Sequence, residues 1–208
     1  MATDQSEAGM TTIRRKYLVI GVLWGLALLA LIPFTWSRWG SATVNDSLAN
    51  SIGPGDYRLT TTSGAVFTED TLKDGPTAVF FGFTHCPEVC PTSLGDIAAF
   101  QDELGPEEQI RVYFVTVDPE RDQLDQLRDY VTWAPGVEGV SGSREEIDKA
   151  IRAFRIYARK VPLEDGGYTM DHSANILLFD QNGRFFEPIG YREETDRAVE
   201  KIRRMSAL

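Results

Sequence analysis

Residues 77–83, TAVFFGF, form an uncharged run of aromatic and β-branched side chains that leads straight into a loop holding the chain's only two cysteines, Cys86 and Cys90. A short run of this kind predicts a strand buried on both faces. The cysteines then lie at the carboxyl end of a central strand, the end at which open α/β sheets bind their ligands. The C-x-x-x-C spacing places the two sulfurs on one side if the intervening residues make about one helical turn, close enough to share a metal or to close a disulfide. Pro91 lacks an N–H and clashes with a carbonyl four residues back inside a helix, so the following helix is predicted to begin at Pro91. Cys90 would then sit at the helix's positive end, where a thiolate is favoured over a thiol. Leu94, Ile97, Phe100 and Leu104, at three- and four-residue steps, give that helix a stripe to pack on the sheet.

The rest of the chain supplies a frame for this loop. Residues 110–118, IRVYFVTVD, predict a second buried strand parallel to the first, with one helix between them. Tyr57 to Thr60 and Ala65 to Thr68 predict a hairpin before the central strand. Leu124, Leu127, Val131 and Ala134 mark one further helix, with Glu120, Arg121 and Asp122 at its solvated start. Ile147, Ala150, Ile151 and Phe154 mark another, with Ser143 as its N-cap. Between those two helices, Val137 to Ser141 is a short segment. Ile156 to Val161 reads as extended, Pro162 to Asp171 as a polar loop, and Ala174 to Phe179 with Arg184 to Pro188 as a second hairpin. A last helix begins near Thr195 and buries Val199, Ile202 and Met205.

Residues 1–16 are polar and end in Arg14, Arg15 and Lys16, and residues 17–36 are apolar apart from Thr35. About 20 such residues span a bilayer, and the basic cluster places the amino end in the cytoplasm. Residues 17–36 are therefore expected to be a transmembrane anchor. A cleaved signal peptide, with Gly40 and Ala42 at the cleavage site, is the competing reading. The leader contains Asp4 and Glu7 and is poor in arginine, unlike a mitochondrial transit peptide, so a bacterial inner membrane with the following domain outside the cytoplasm is expected. Residues 37–55, small and polar and containing Gly53-Pro54-Gly55, read as a tether, and residues 56–208 as the folded domain. A formal net charge of −10 excludes a nucleic-acid binder that works through phosphate contacts. Two cysteines are too few for a disulfide scaffold, so they are a reactive pair or inert core residues.

A hairpin, a βαβ unit and a closing ββα around a cysteine pair resemble the thioredoxin fold. Within it FGFTHCPEVCP (81–91), VDPERD (117–122) and DHS (171–173) resemble the SCO/SenC family of copper-binding cytochrome c oxidase assembly proteins. The resemblance implies a membrane-tethered copper chaperone in which Cys86, Cys90 and His172 bind copper, and in which Cys86 and Cys90 can also form a disulfide. Two soft sulfurs and one imidazole suit copper(I) and tolerate copper(II). The implied partner is the copper-bearing subunit of the oxidase, together with another copper chaperone or a thiol reductant. Asp118 and Asp171 are expected to support the ligands from behind. His85 points away from its neighbour Cys86 and is not a ligand, and Met170 fills a gap. Two other classes stay open: a thiol-disulfide reductase that needs Cys86 and Cys90 but not His172, and a copper or redox sensor.

Overall fold

The computed structural model describes residues 24–25, 49–164 and 166–208. The expected anchor, residues 17–36, lies outside the described residues except for Trp24 and Gly25. Among the described residues no helix is long and apolar enough to cross a membrane.

The central strand forms where its composition demands it. Strand β3 follows a hairpin of β1 (Leu59–Thr61) and β2 (Val66–Phe67), runs over Thr77–Gly82, and is buried along its whole length. Helix α1 (Val89–Leu104) returns the chain to β4 (Arg111–Thr116), which pairs with β3 in parallel. Then come α2 (Leu124–Val131), β5 (Val137–Ser141), α3 (Arg144–Ala153), β6 (Ala158–Pro162), β7 (Tyr168–His172), β8 (Ile176–Phe179), β9 (Phe185–Ile189) and α4 (Thr195–Ser206). The main sheet is seven-stranded in the order β2-β1-β5-β4-β3-β8-β9. Strands β3, β4 and β5 are parallel, and β8 and β9 run antiparallel beside β3. This is a thioredoxin-like arrangement of mixed α/β class, as expected.

The period of two along β3 divides its side chains between two packed layers. Ala78 shares an apolar layer with Ile97 and Phe100 of α1 and Ile202 of α4. On the other face the Phe81 ring lies 5.1 Å from that of Phe154, which itself meets Phe179 edge-on at 5.6 Å. Helix α3 starts as its cap predicts, with the Ser143 hydroxyl accepting the Glu146 N–H at 3.2 Å. Two residues of the expected tether are tied to the domain. Gly53 N–H donates to the Ala153 carbonyl at 3.0 Å, and Gly55 N–H to Glu69 Oε2 at 2.9 Å.

Three expectations are corrected. Helix α1 begins at Val89 rather than Pro91, with Glu88 as N-cap. Pro91 then occupies the third helical position, where its missing N–H is still one of the unpaired first four, and Pro87 lies outside the helix. Residues 162–171 are not one polar loop, because Tyr168–His172 forms β7 and pairs antiparallel with β6. That two-stranded sheet is separate and largely half-buried, with Met170 as the buried side chain in its strands, so it has no alternating apolar face to announce it. Glu120, Arg121 and Asp122 do not begin a solvated helix: α2 starts at Leu124, and Asp122 is fully buried in the preceding turn.

Candidate metal centre

Topology alone brings the two distant parts of the site together. Because β8 runs antiparallel to β3, with Ile176 opposite Phe80, its amino end lies beside the carboxyl end of β3. The chain entering β8 carries His172, and the chain leaving β3 carries Cys86 and Cys90. One sulfur from each cysteine and one nitrogen of His172 all lie within 4.8 Å of one another. The Cys90 sulfur is 3.6 Å from His172 Nε2. Cys90 is completely buried, whereas Cys86 and His172 are half-buried, so the group opens to solvent on one side.

Each donor is held by its own local device. Cys86 lies in a turn before α1, its N–H donating to the Phe83 carbonyl at 3.2 Å. Its sulfur accepts the backbone N–H of Cys90 at 3.3 Å, which makes Cys86 a partner for the unpaired amides at the start of α1. Cys90 packs under β3, and Gly82 makes room for it. A Cβ at residue 82 would lie 2.8 Å from the Cys90 sulfur and 2.8 Å from the Phe114 ring. On the third donor, His172 Nδ1 lies 2.8 Å from the Ser173 carbonyl oxygen. A carbonyl only accepts, so Nδ1 carries the proton and Nε2 turns its lone pair toward the sulfurs. The edge of the imidazole is fixed by the Phe83 ring, 5.7 Å away and at 88° to it.

The electrostatics of the pair reverse the expectation that Cys90 is the thiolate. Hydrogen bonding from the Cys90 side chain, with further bonds from the backbone amides of Cys90 and Glu88, outweighs burial and pulls the Cys86 thiol down to about 4. The same hydrogen bond to Cys86, with burial, pushes Cys90 up. Where α1 starts contributes to the same asymmetry. With Val89 as the first helical residue, the free amides point back at Cys86, while Cys90 is drawn into the core.

Of the two residues expected to support the ligands, Asp171 faces away from the site. Asp171 lies on the exposed face of β7, opposite to that of its neighbour His172, and the imidazole proton goes to the Ser173 carbonyl instead. Asp118 is fully buried beyond the end of β4, where it accepts the Tyr168 hydroxyl at 3.0 Å and pairs with Arg121. Sequence reasoning missed Asp122. Its carboxylate accepts Thr84 N–H at 3.0 Å, Thr84 Oγ1 at 2.6 Å and Thr116 Oγ1 at 2.6 Å, and so ties the cysteine loop to the end of β4. The signal was its place four residues after Asp118 in VDPERD, which allows the turn closed by Asp122 N–H to the Asp118 carbonyl at 3.0 Å. His85 is half-exposed with Nδ1 3.0 Å from Thr84 Oγ1, and is not one of the three donors. Met170 is buried, as a gap-filling role requires.

Several known proteins are similar to this chain in sequence and in fold. ScoI of Bradyrhizobium japonicum with copper bound is 41% identical, superposes with a TM-score of 0.67, and is matched over 73% of this chain and 99% of that one. ScoI of Arabidopsis thaliana with copper bound is 35% identical, with a TM-score of 0.66 over 72% of this chain and 98% of that one. Among curated proteins, SCO1 homolog 1, mitochondrial, of Arabidopsis thaliana is 36% identical over 156 residues, which is 72% of this chain and 47% of the relative. SCO2, mitochondrial, of Saccharomyces cerevisiae is 32% identical over 156 residues, 72% of this chain and 51% of the relative. The chain spans about half the length of these curated relatives. The model of the SCO1/SenC family matches residues 45–207, a stretch that holds the cysteine loop, the buried aspartates and the histidine strand together, and the chain belongs to that family.

Proposed function

We propose that the protein is a copper chaperone: Cys86, Cys90 and His172 take one copper ion as cargo and release it to the copper-bearing subunit of cytochrome c oxidase, where a binuclear copper centre is built. The observation that carries this reading is the convergence of two sulfurs and one imidazole nitrogen within 4.8 Å of one another. Two soft donors select copper(I), and the nitrogen completes a three-coordinate set that also tolerates copper(II). Cys86 meets the ion already ionised, and Cys90 gives up its proton on binding. An open fourth position lets a thiolate of the target enter before any of the three bonds breaks. Copper bound in ScoI of Bradyrhizobium japonicum and of Arabidopsis thaliana supports the choice of cargo.

Residues 17–36 hold the domain to a bacterial inner membrane with the amino end in the cytoplasm, and residues 37–55 are the tether. Outside the cytoplasm the pair tends to oxidise, so loading requires a thiol reductant, and a second copper chaperone is the expected donor.

A second reading, a thiol-disulfide reductase acting on the target's ligand cysteines, is favoured by the ionised, half-exposed Cys86 standing in front of the buried Cys90. One experiment separates the two. Anaerobic copper(I) titration of the reduced full-length chain against a competing chelator should give one ion per chain. His172→Ala should weaken it by at least about tenfold while leaving disulfide exchange intact. Unchanged affinity in that variant, with turnover of a disulfide substrate, would establish the reductase instead.

A further inference from the structure

His172 is carried by an element with little hold of its own on the domain. The β6–β7 ribbon is a separate two-stranded sheet, and Met170 is the buried residue among its strands. Ala158 of β6, opposite His172, also packs against the core, and a further attachment is at the far end of β7, on Tyr168. The Tyr168 hydroxyl donates to Asp118 Oδ1 at 3.0 Å, and the other oxygen of Asp118 pairs with Arg121. The Arg121 guanidinium carbon lies 3.8 Å from the centre of the Tyr168 ring, and Arg121 Nη1 donates to the Tyr168 carbonyl at 3.0 Å. Lys160 of β6 brings its ammonium to 4.0 Å from the same ring. Ring, hydroxyl and carbonyl of a single residue are thus all engaged.

A buried carboxylate is a rigid anchor, because both its oxygens need partners and the charge is stable only while they are present. Asp118 is fully buried, and Tyr168 supplies one of those partners. From Tyr168 to His172 the chain is one strand, a stiff arm of about 13 Å at some 3.3 Å per residue. A small tilt at the tyrosine therefore becomes a displacement of the imidazole comparable to a ligand bond. Arg121 also reaches the imidazole by a second route. Its guanidinium carbon is 6.0 Å from the Phe83 ring, which stands at 88° to the His172 imidazole with the ring centres 5.7 Å apart.

We propose that Tyr168, clamped by Asp118 and Arg121, is a positioning residue that sets the β6–β7 ribbon so that the His172 imidazole stands beside the two sulfurs. The part of this that concerns copper rests on the reading of His172 as a donor. The clamp itself does not, and its test has a metal-free arm.

That arm measures hydrogen–deuterium exchange at the imidazole C2 of His172 in the reduced, metal-free full-length chain, by mass spectrometry, with circular dichroism to show that each variant folds. Tyr168→Ala should raise the exchange rate several-fold toward that of an exposed histidine. Tyr168→Phe keeps the stacking and loses only the hydroxyl bond, and should fall between. In the copper-loaded chain, Tyr168→Ala should weaken or abolish the nitrogen splitting of the copper(II) electron paramagnetic resonance spectrum and lower affinity about tenfold. Because the tyrosine acts through the histidine, Tyr168→Ala combined with His172→Ala should bind no more weakly than His172→Ala alone. Unchanged C2 exchange in Tyr168→Ala overturns the clamp, as do losses that multiply in the double variant. Raised exchange, with no nitrogen splitting in the unsubstituted chain, supports the clamp while removing His172 from the copper site.

Discussion

The sulfur of Cys86 accepts the backbone N–H of Cys90 at 3.3 Å, so two residues that look equivalent in the sequence hold different protons. The Cys90 side chain, with the amides at the start of α1, stabilises negative charge on the first cysteine. The second lies beneath β3 without access to solvent.

This asymmetry predicts selective alkylation. An ordinary thiol ionises near about pH 8.5, and its reaction with iodoacetamide slows about tenfold for each unit the pH falls below that. The Cys86 thiol is lowered to about 4, so the thiolate stays populated as the pH falls until about that value. In the reduced, metal-free chain the modification rate of Cys86 should be nearly flat from neutral pH down to mildly acid pH, while Cys90 stays unmodified. Peptide mapping after timed alkylation reads both. A steep fall in the Cys86 rate just below neutrality would contradict the assignment.

Gly82→Ala is expected to damage the site from inside the core. The added methyl meets the Cys90 sulfur and the Phe114 ring at 2.8 Å, and β3, fully buried between two layers, has nowhere to move. Overpacking of this kind costs about 1–3 kcal/mol, which urea unfolding would read as a lower midpoint. Copper(I) affinity should fall with it, because Cys90 must shift to accept the methyl.

Asp122→Ala removes the acceptor of three hydrogen bonds and leaves donors of Thr84 and Thr116 unpaired in a buried place. The expected loss of stability is about 2–4 kcal/mol. Amide exchange should rise in residues 83–90 more than in α4, since the carboxylate ties that loop to the end of β4. A uniform rise across the domain would mean that Asp122 only supports the core.

Loading with copper(I) should protect both cysteines from alkylation, and removal of the ion by a strong copper(I) chelator should restore the reactivity of Cys86. Oxidation of the pair to a disulfide before loading should abolish binding, because a neutral disulfide sulfur is a far weaker donor to a soft ion than the thiolate it replaces. Retention of stoichiometric copper by the oxidised chain would remove the sulfurs from the site.

What could be read in the sequence, and what could not, divides along physical lines. Strands β3 and β4 and helix α4 were legible because burial dictates side-chain type at every turn, as in TAVFFG and in Val199, Ile202 and Met205. The Ser143 cap was legible because a cap is a local rule. Strand β7 was not, since a half-buried ribbon with one buried side chain in its strands follows no apolar period. Asp122 was not, since a carboxylate in the core resembles one in solvent until its three donors, from residues 84 and 116, are folded against it. Cys86 and Cys90 could be placed together by spacing, but which of them is ionised depended on which sulfur accepts the hydrogen bond between them and which is the more deeply buried, and spacing shows neither. His172 was reached through the DHS motif; it is the antiparallel course of β8 beside β3 that physically delivers it.

The contrast between a sealed sulfur and an open one gives the site a direction. In the proposed copper complex a visiting ligand would approach from the side of Cys86 and His172, so those two bonds would be the first challenged and the one to Cys90 the last to let go. Cargo held here would leave by an ordered sequence of substitutions, with the innermost anchor acting as the final latch against premature escape.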